Sequence, residues 1–245
     1  MLISCILALC LPLQNTQSKD VSSEISELLK QLTPRGVGLR TWMGSPVPDE
    51  IERIRTRLVE IANQSAQTRM AVIKALVPIL NAPKQEFDFQ EVDQWRTAVA
   101  LLGELNAIEA IDNLVSNIKW TSYNSFPHPT PPVRAALVRI GEPAVPSLLK
   151  ALSNPNKLTR WESTEALVEI GTPSVYGLLE VLADRNPDAR TAAAYALARI
   201  ESPLARDAIE IALSLESNEE IRKQLKSDIE LMDQLDCLKD RSKCK

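Results

Sequence analysis

Residues 136–152 read ALVRIGEPAVPSLLKAL, and the same pattern returns as ALVEIGTPSVYGLLEVL at 166–182 and as ALARIESPLARDAI at 196–209. A proline holds the same place in each copy, at positions 143, 173 and 203, so the copies are 30 residues apart. Self-similarity at a fixed period of this length is the signature of stacked structural repeats. The three stretches therefore predict a repeat architecture rather than one globular core.

Each unit of the repeat is predicted to contain two helices joined by turns. Gly141 and Gly171 end first helices, because glycine adopts the positive φ that closes a last helical turn. A polar residue followed by proline begins the next helix, where the missing N–H of proline costs nothing. The predicted starts are Thr172-Pro173 and Ser202-Pro203 for second helices, and Asn154-Pro155 and Asn186-Pro187 for first helices.

The same unit extends beyond the three clear copies. Residues 95–118 are a further copy in which Asn106 stands where Gly141 stands. Residues 66–80 are predicted to be part of a degenerate unit, preceded by a helix at about 49–62. The predicted domain organisation is a signal peptide at 1–18, an N-terminal helix and linker at 19–50, a solenoid at 51–235 and a polar tail at 236–245.

The composition of the 245 residues supports packed helices. Only 7 residues are glycine and 4% are aromatic, against 44% hydrophobic residues, which argues against a large β-sandwich or a nucleotide-binding α/β domain. A single histidine excludes most hydrolytic triads and multi-histidine metal sites. The net charge of −4 gives no support for binding to nucleic acid.

The run RTAAAYALARI at 190–200 and the run GTPSV at 171–175 resemble the short HEAT-like repeats of the phycobilisome bilin lyase family. The resemblance covers residues 90–215 well and 50–235 loosely. It implies an all-α fold, an α-solenoid of stacked antiparallel helix pairs in a HEAT-like or armadillo-type superhelix. It implies little about function, because such repeats serve as lyases, scaffolds, adaptors and regulators.

The amino-terminal residues predict export. Residues 2–13 form an apolar run of the length of a signal-peptide core, too short to span a bilayer. The alternatives are a buried end segment of the mature fold and, with less support, a lipoprotein signal at Cys5. The predicted location is secreted or periplasmic, or cytoplasmic if the run is not a signal.

Two cysteines remain after such a leader is removed. Cys237 and Cys244 lie in the polar tail, where a small disulfide loop would form in an oxidising compartment. The alternative is that both thiols stay free. Two thiols without a nearby histidine do not predict a zinc site.

Three groups of residues are candidates for binding or for holding the repeats together. The insertion at 119–132 collects Trp120, Tyr123, Phe126 and the lone histidine His128, which either contact a partner or pack over neighbouring helices. Second helices expose Lys150, Glu180 and Glu210 at near-equivalent positions. Arg160 and Arg190 recur at one position of the first helices and are predicted to set the register of stacking, with Asp184 and Asp188 beside Arg190 as acidic partners.

These features predict a non-enzymatic scaffold or adaptor that binds a protein or peptide, with no catalytic set, cofactor or metal. The chain contains neither a phosphate-binding P-loop nor a nucleophile elbow. The alternative, implied by the family resemblance alone, is a bilin-lyase-like enzyme or enzyme subunit that attaches a tetrapyrrole to a protein.

Overall fold

A computed structural model describes the backbone of residues 14–32, 49–80, 89–121, 131–200, 202 and 204–239, and their side chains except at 14–20, 89–93, 120 and 121. Every regular element among those residues is a helix, which confirms the predicted all-α solenoid class. Short 3₁₀ turns join several of the α-helices. The α-helices are α1 Gln14–Gln31, α2 Asp49–Ala62, α3 Ala66–Leu80, α4 Phe89–Glu104, α5 Ile111–Asn117, α6 Pro132–Ile140, α7 Val145–Ala151, α8 Lys157–Ile170, α9 Val175–Val181, α10 Pro187–Ile200, α11 Ala205–Leu215 and α12 Glu219–Lys239.

The chain divides into two compact units, one ending at Leu105 and the other beginning at Asn106. In the first unit α2 packs on α3, α3 packs on α4, and α1 lies against α2 and α3. Leu58, Leu76 and Leu102 are fully buried in this unit. Helix α1 begins at Gln14 and so crosses the predicted leader boundary at residue 18. The predicted domain boundaries stay predictions.

The second unit consists of two rows of helices. The first helices α6, α8, α10 and α12 pack side by side, and the second helices α5, α7, α9 and α11 pack in the same order beside them. Leu137, Leu148, Leu167, Leu178 and Leu197 are fully buried, because each helix turns its apolar face toward its neighbours. The stacking of such pairs is what buries faces that a single pair would leave in water.

The turns that end the first helices have the predicted backbone conformation. Gly141 and Gly171 have φ values of 76° and 77°, and the N–H of each donates to the carbonyl four residues earlier. Asn106, in the equivalent place of the preceding unit, has a φ of 50°. Asparagine tolerates this left-handed region better than most other residues, so it substitutes for glycine here.

The predicted helix starts are correct for α10 but two residues early elsewhere. Asn186 Oδ1 accepts from the N–H of Asp188, and α10 begins at Pro187 as predicted. Helix α8 is instead capped by Asn156, whose Oδ1 accepts from the N–H groups of Leu158 and Thr159. Second helices α7 and α9 follow the 3₁₀ turns Glu142–Ala144 and Thr172–Ser174, so the marker prolines lie in those turns.

Helices α7 and α9 approach each other closely. Gly177 of α9 faces Leu149 of α7, and a Cβ atom at Gly177 would overlap Leu149 Cδ1. Because glycine has no Cβ, the side chain of Leu149 can approach the backbone of α9 at Gly177, and the two second helices pack closely.

Candidate functional site

Arg160 lies on α8 and connects the turn that precedes α8 with α10, the first helix of the next repeat. Its Nη1 donates to the carbonyl oxygens of Asn154 at 2.8 Å and Pro155 at 3.1 Å. Its Nη2 lies 2.9 Å from Asp188 Oδ2 on α10. Asp188 thus pairs with Arg160, not with Arg190 as the sequence predicted.

Arg190 repeats this arrangement one repeat later. Its Nη1 donates to the carbonyl oxygens of Asp184 and Arg185, and its Nε and Nη2 donate to Glu216 Oε2 at 2.8 and 2.6 Å. The pKa of the Glu216 carboxyl lies below its ordinary value, because the backbone N–H of Asn218 and the Arg190 side chain donate to it. Both arginines thus contact the following repeat; their role in setting the register of stacking stays a prediction.

A buried ion pair links α6 to α8, and sequence reasoning did not identify its acidic partners. Arg134 Nη1 lies 3.2 Å from Glu162 Oε2, and Arg134 Nε lies 3.1 Å from Glu169 Oε1. Arg134 and Glu162 are both almost completely buried. The sequence feature that could have identified these partners is the spacing of Glu162 and Glu169, because residues seven apart lie on one face of a helix.

An aromatic pair with fixed geometry lies on α8 and α10. The rings of Trp161 and Tyr195 are 5.7 Å apart between centroids and tilted by 39°. Arg199 Nη1 donates to Tyr195 Oη at 2.7 Å and to Glu165 Oε1 at 3.3 Å, and Tyr195 Oη donates to the same carboxylate oxygen. The hydrogen bond with Tyr195 raises the pKa of the Arg199 guanidinium, which therefore stays charged. These contacts hold the tyrosine in one orientation.

Beside this pair runs a groove of about 630 Å³, called the first-helix groove below. It is lined by side chains of α8, α10 and α12. The lining that matters here is Asp188, Thr191 and Ala192 on α10, Trp161 and Thr164 on α8, and Ile221 and Gln224 on α12. The volume lies in the range of roughly 300–1,000 Å³ typical of ligand pockets.

Trp161 is an exposed aromatic residue at the side of this groove. Its side chain is 48% exposed, although tryptophan is usually well buried. Its indole N–H donates to nothing in the part of the chain that the structure describes. The sequence pointed instead to the aromatic residues of the insertion at 119–132, because they are close together along the chain.

The three predicted second-helix residues Lys150, Glu180 and Glu210 are all exposed. Lys150 lines a smaller hollow of about 380 Å³, which also includes Ser147 of α7 and Asp112 of α5. Ser147 Oγ donates to Asp112 Oδ1 at 2.7 Å, so this hollow is bridged across neighbouring second helices.

Several sequence-predicted residues lie outside the described part of the chain. Tyr123, Phe126, His128 and Cys244 belong to this group, and the side chain of Trp120 does as well. Cys237 lies half-buried on α12. Its pairing with Cys244 stays a prediction.

Two further findings bear on the site within the described ranges. No cluster of three or more histidine, cysteine, aspartate or glutamate side chains there has an arrangement that would hold a metal ion. None of the helices in those ranges has both the length and the apolar character needed to cross a bilayer.

We predict that Asp228 makes the free energy of unfolding of the second unit depend on pH. This residue of α12 is buried, its Oδ1 accepts from Gln224 Nε2, and its Oδ2 has no hydrogen-bond partner among the described residues. Burial raises the pKa of Asp228 from 3.8 to about 6. Between these two values the folded chain retains a proton that the unfolded chain has lost, so the free energy of unfolding falls as the pH rises.

We expect Asp228→Asn to remove this slope and to be more stable than the wild type above pH 6, by up to about 3 kcal/mol. Urea unfolding of both proteins at pH 4, 5, 6 and 7 measures the difference. Parallel stability curves for the two proteins would show that Asp228 does not titrate in this window.

Residues 145–227 match the family model for HEAT repeats. The chain is similar to the crystal structure of an engineered protein, with 18% identity, coverage of 86% of this chain and 97% of that chain, and a TM-score of 0.36. It is also similar to human deoxyhypusine hydroxylase in complex with glycerol, with 17% identity, coverage of 89% and 99%, and a TM-score of 0.24. No curated protein matches the sequence significantly.

The prediction that the chain is not an enzyme, which rested on the single histidine and the lack of catalytic motifs, is contradicted by one of these comparisons. An enzyme, human deoxyhypusine hydroxylase, is among the similar structures, so helical repeats do not by themselves exclude catalysis. The low TM-score equally assigns no activity to this chain.

Proposed function

This chain carries HEAT repeats, and from that premise we propose that it is a scaffold that binds a polypeptide segment of a partner protein. The observation that carries the proposal is the half-exposed Trp161 at the side of the first-helix groove. Rigid aromatic side chains are frequent anchors of protein interfaces because they bury a large area at little cost in conformational entropy.

The surroundings of Trp161 favour recognition over simple packing. Tyr195 supports one side of its ring and is itself held by Arg199 and Glu165. The indole N–H is free to donate to a carbonyl of a bound segment, which gives the anchor a polar handle as well as an apolar face. A groove formed by helices also changes little in shape on binding, so less ordering entropy is lost.

The sequence-predicted residues are part of the same proposal. Lys150, Glu180 and Glu210 would contribute a second, polar contact surface on the second helices, and Trp120, Tyr123, Phe126 and His128 would contribute contacts from the insertion. No contact among the described residues favours the bilin-lyase-like alternative.

A peptide-display selection on the intact protein tests the proposal. We expect selected peptides to lose at least about tenfold in affinity on Trp161→Ala, the loss typical of an interface hot spot. Tyr176→Ala is the matched control, because Tyr176 is an exposed aromatic residue on the other row of helices. Binding that Trp161→Ala leaves intact, measured by calorimetry, would exclude the groove as the binding site.

We also propose that the protein is exported and that Cys237 pairs with Cys244. The apolar run at 2–13 supports the first statement, and the position of both cysteines in the polar tail supports the second. The intact mass of protein from its native source, with and without reductant, measures leader removal and the disulfide together. A mass that includes residues 1–18 would contradict export.

A further inference from the structure

The spacing between equivalent buried residues of successive second helices increases by one residue at α11; this change is called the slip below. Two residues four apart are fully or almost fully buried in each second helix: Ala144 and Leu148 in and just before α7, Ser174 and Leu178 in and just before α9, and Ala205 and Ile209 in α11. The first two pairs are 30 residues apart, but the third follows the second by 31. The sequence period therefore does not give the true register of α11.

This slip changes which residue of α11 is equivalent to Lys150 and Glu180. Lys150 and Glu180 come two residues after Leu148 and Leu178, and the residue two after Ile209 is Ile211. Ile211, not Glu210, thus takes the position equivalent to Lys150 and Glu180, although both Ile211 and Glu210 are exposed. Ile211 is 60% exposed, so an apolar side chain replaces a charged one at the end of the row.

Ile211 belongs to an apolar stripe, called the α11 stripe below. Its members are Leu204, Ala208, Ile211 and Leu215, which are spaced by four, three and four residues and so lie on one face of the helix. Ala208 is half-buried, whereas Leu204 is 49% and Leu215 is 79% exposed. Single exposed apolar residues are normal on a protein surface, but a contiguous stripe marks an interaction site.

Negative charge borders the stripe. Asp207 and Glu210 of α11 and Glu180 of α9 are all exposed. Arg206 is the basic residue on this helix, but its Nη2 pairs with Asp233 Oδ1 at 2.7 Å and its Nη1 lies 4.0 Å from Glu210. An excess of negative charge therefore remains beside the apolar side chains.

The charges discriminate between possible occupants. A second copy of this chain, docked through its own α11 stripe, would bring the acidic borders of two copies together, and like charges at an interface are unfavourable. A membrane surface with anionic lipids would be repelled in the same way. A segment with apolar side chains on one face and lysine or arginine at the edges complements both the stripe and its border.

We propose that the α11 stripe binds a basic amphipathic helix of a partner protein. Apolar side chains of that helix at spacings of three and four residues pack against Ile211 and Leu215, and basic side chains at its edges pair with Glu180, Asp207 and Glu210. This site is on the other row of helices from the first-helix groove and does not depend on it.

A pair of designed peptides tests the charge and the pattern at once. The probe is a 14-residue peptide of leucine and lysine with leucine at spacings of three and four, and its partner has glutamate in place of every lysine. We expect the lysine peptide to bind the full chain at least about tenfold more tightly than the glutamate peptide, and to bind more weakly as salt is raised. Equal binding of the two peptides would overturn the proposal.

Variants of the stripe locate the binding. We expect Ile211→Ser with Leu215→Ser to weaken binding of the lysine peptide at least about tenfold. The matched control, Ile108→Ser with Leu238→Ser, removes two exposed apolar residues elsewhere and should leave binding unchanged. If both double variants bind as the wild type does, the stripe is not the site.

A second set of variants separates local charge from net charge. We expect Glu180→Gln with Asp207→Asn and Glu210→Gln to weaken binding at least about fivefold, because three favourable charge pairs are removed. Glu219→Gln with Glu220→Gln and Glu230→Gln changes the net charge equally at exposed positions of α12 and should have a much smaller effect. Equal losses in the two triple variants would overturn the proposed border.

Two further measurements address the other occupants. Sedimentation of the wild type and of Ile211→Ser with Leu215→Ser would reveal a dimer formed through the stripe, and co-sedimentation with phosphatidylglycerol vesicles would reveal lipid binding. Either result, if abolished by the stripe variant, would replace the proposed helix as occupant.

Discussion

Arg134→Met lowers the free energy of unfolding by about 3–5 kcal/mol, the largest effect that we expect from a single substitution in this protein. The guanidinium of Arg134 lies 3.2 Å from Glu162 Oε2, and both side chains are nearly inaccessible to water. Methionine retains most of the apolar volume of arginine but removes its charge. The carboxylate of Glu162 then stays buried but loses the charge of Arg134, and that loss of compensation dominates the cost.

Two variants separate this cause from a loss of packing. Arg134→Met combined with Glu162→Leu removes both charges, and we expect it to recover most of the lost stability. Arg139→Met changes an exposed arginine of the same helix and should alter stability by no more than about 0.5 kcal/mol. Urea unfolding followed by circular dichroism measures all three, and a loss below about 1 kcal/mol for Arg134→Met would show that the ion pair contributes little.

Leu148→Ala lowers the free energy of unfolding by about 2–5 kcal/mol. Leu148 lies on α7 and is fully buried where the second helices pack against their neighbours. Alanine leaves a cavity that the surrounding helices fill only partly, because α7 is short and packs against α5, α9 and α8. The loss therefore includes both the transfer of the side chain and the empty volume.

Leu238→Ala is the matched control, because Leu238 is the same residue type on α12 but is exposed. We expect its effect to stay within about 0.5 kcal/mol. Equal effects of the two substitutions, measured by thermal or urea unfolding, would mean that Leu148 is not part of a close-packed core.

The turns of the repeats show where local sequence is sufficient. Gly141, Gly171 and Asn106 have the positive φ that their residue types and positions predict, because a left-handed residue after a helix is a local requirement. The cap of α8 shows the opposite case. Asn154, Pro155 and Asn156 offer two possible caps, and the contacts of Arg160 with the turn accompany the choice of Asn156.

The contacts within the candidate sites were only partly predictable from the sequence, because they join residues of neighbouring repeats. The positions of Arg160 and Arg190 follow from the period, but their acidic partners Asp188 and Glu216 come from the next repeat. The pairing of Trp161 with Tyr195 brings together residues 34 apart on two helices, which no local pattern relates. The slip of one residue at α11 is invisible to a period that is marked by proline.

The sequence by itself determined that this protein is an array of helix pairs, because a period of 30 residues, glycine turns and apolar faces at helical spacing are properties of short segments. Tertiary structure alone decided which side chains meet between neighbouring first helices, Arg134 with Glu162 and Trp161 with Tyr195. It also decided that Ile211 is exposed at the position equivalent to Lys150 and Glu180. The physical reason is that each of these depends on how neighbouring helices rotate and slide to fill the core. That packing is a property of pairs of helices, not of any one segment.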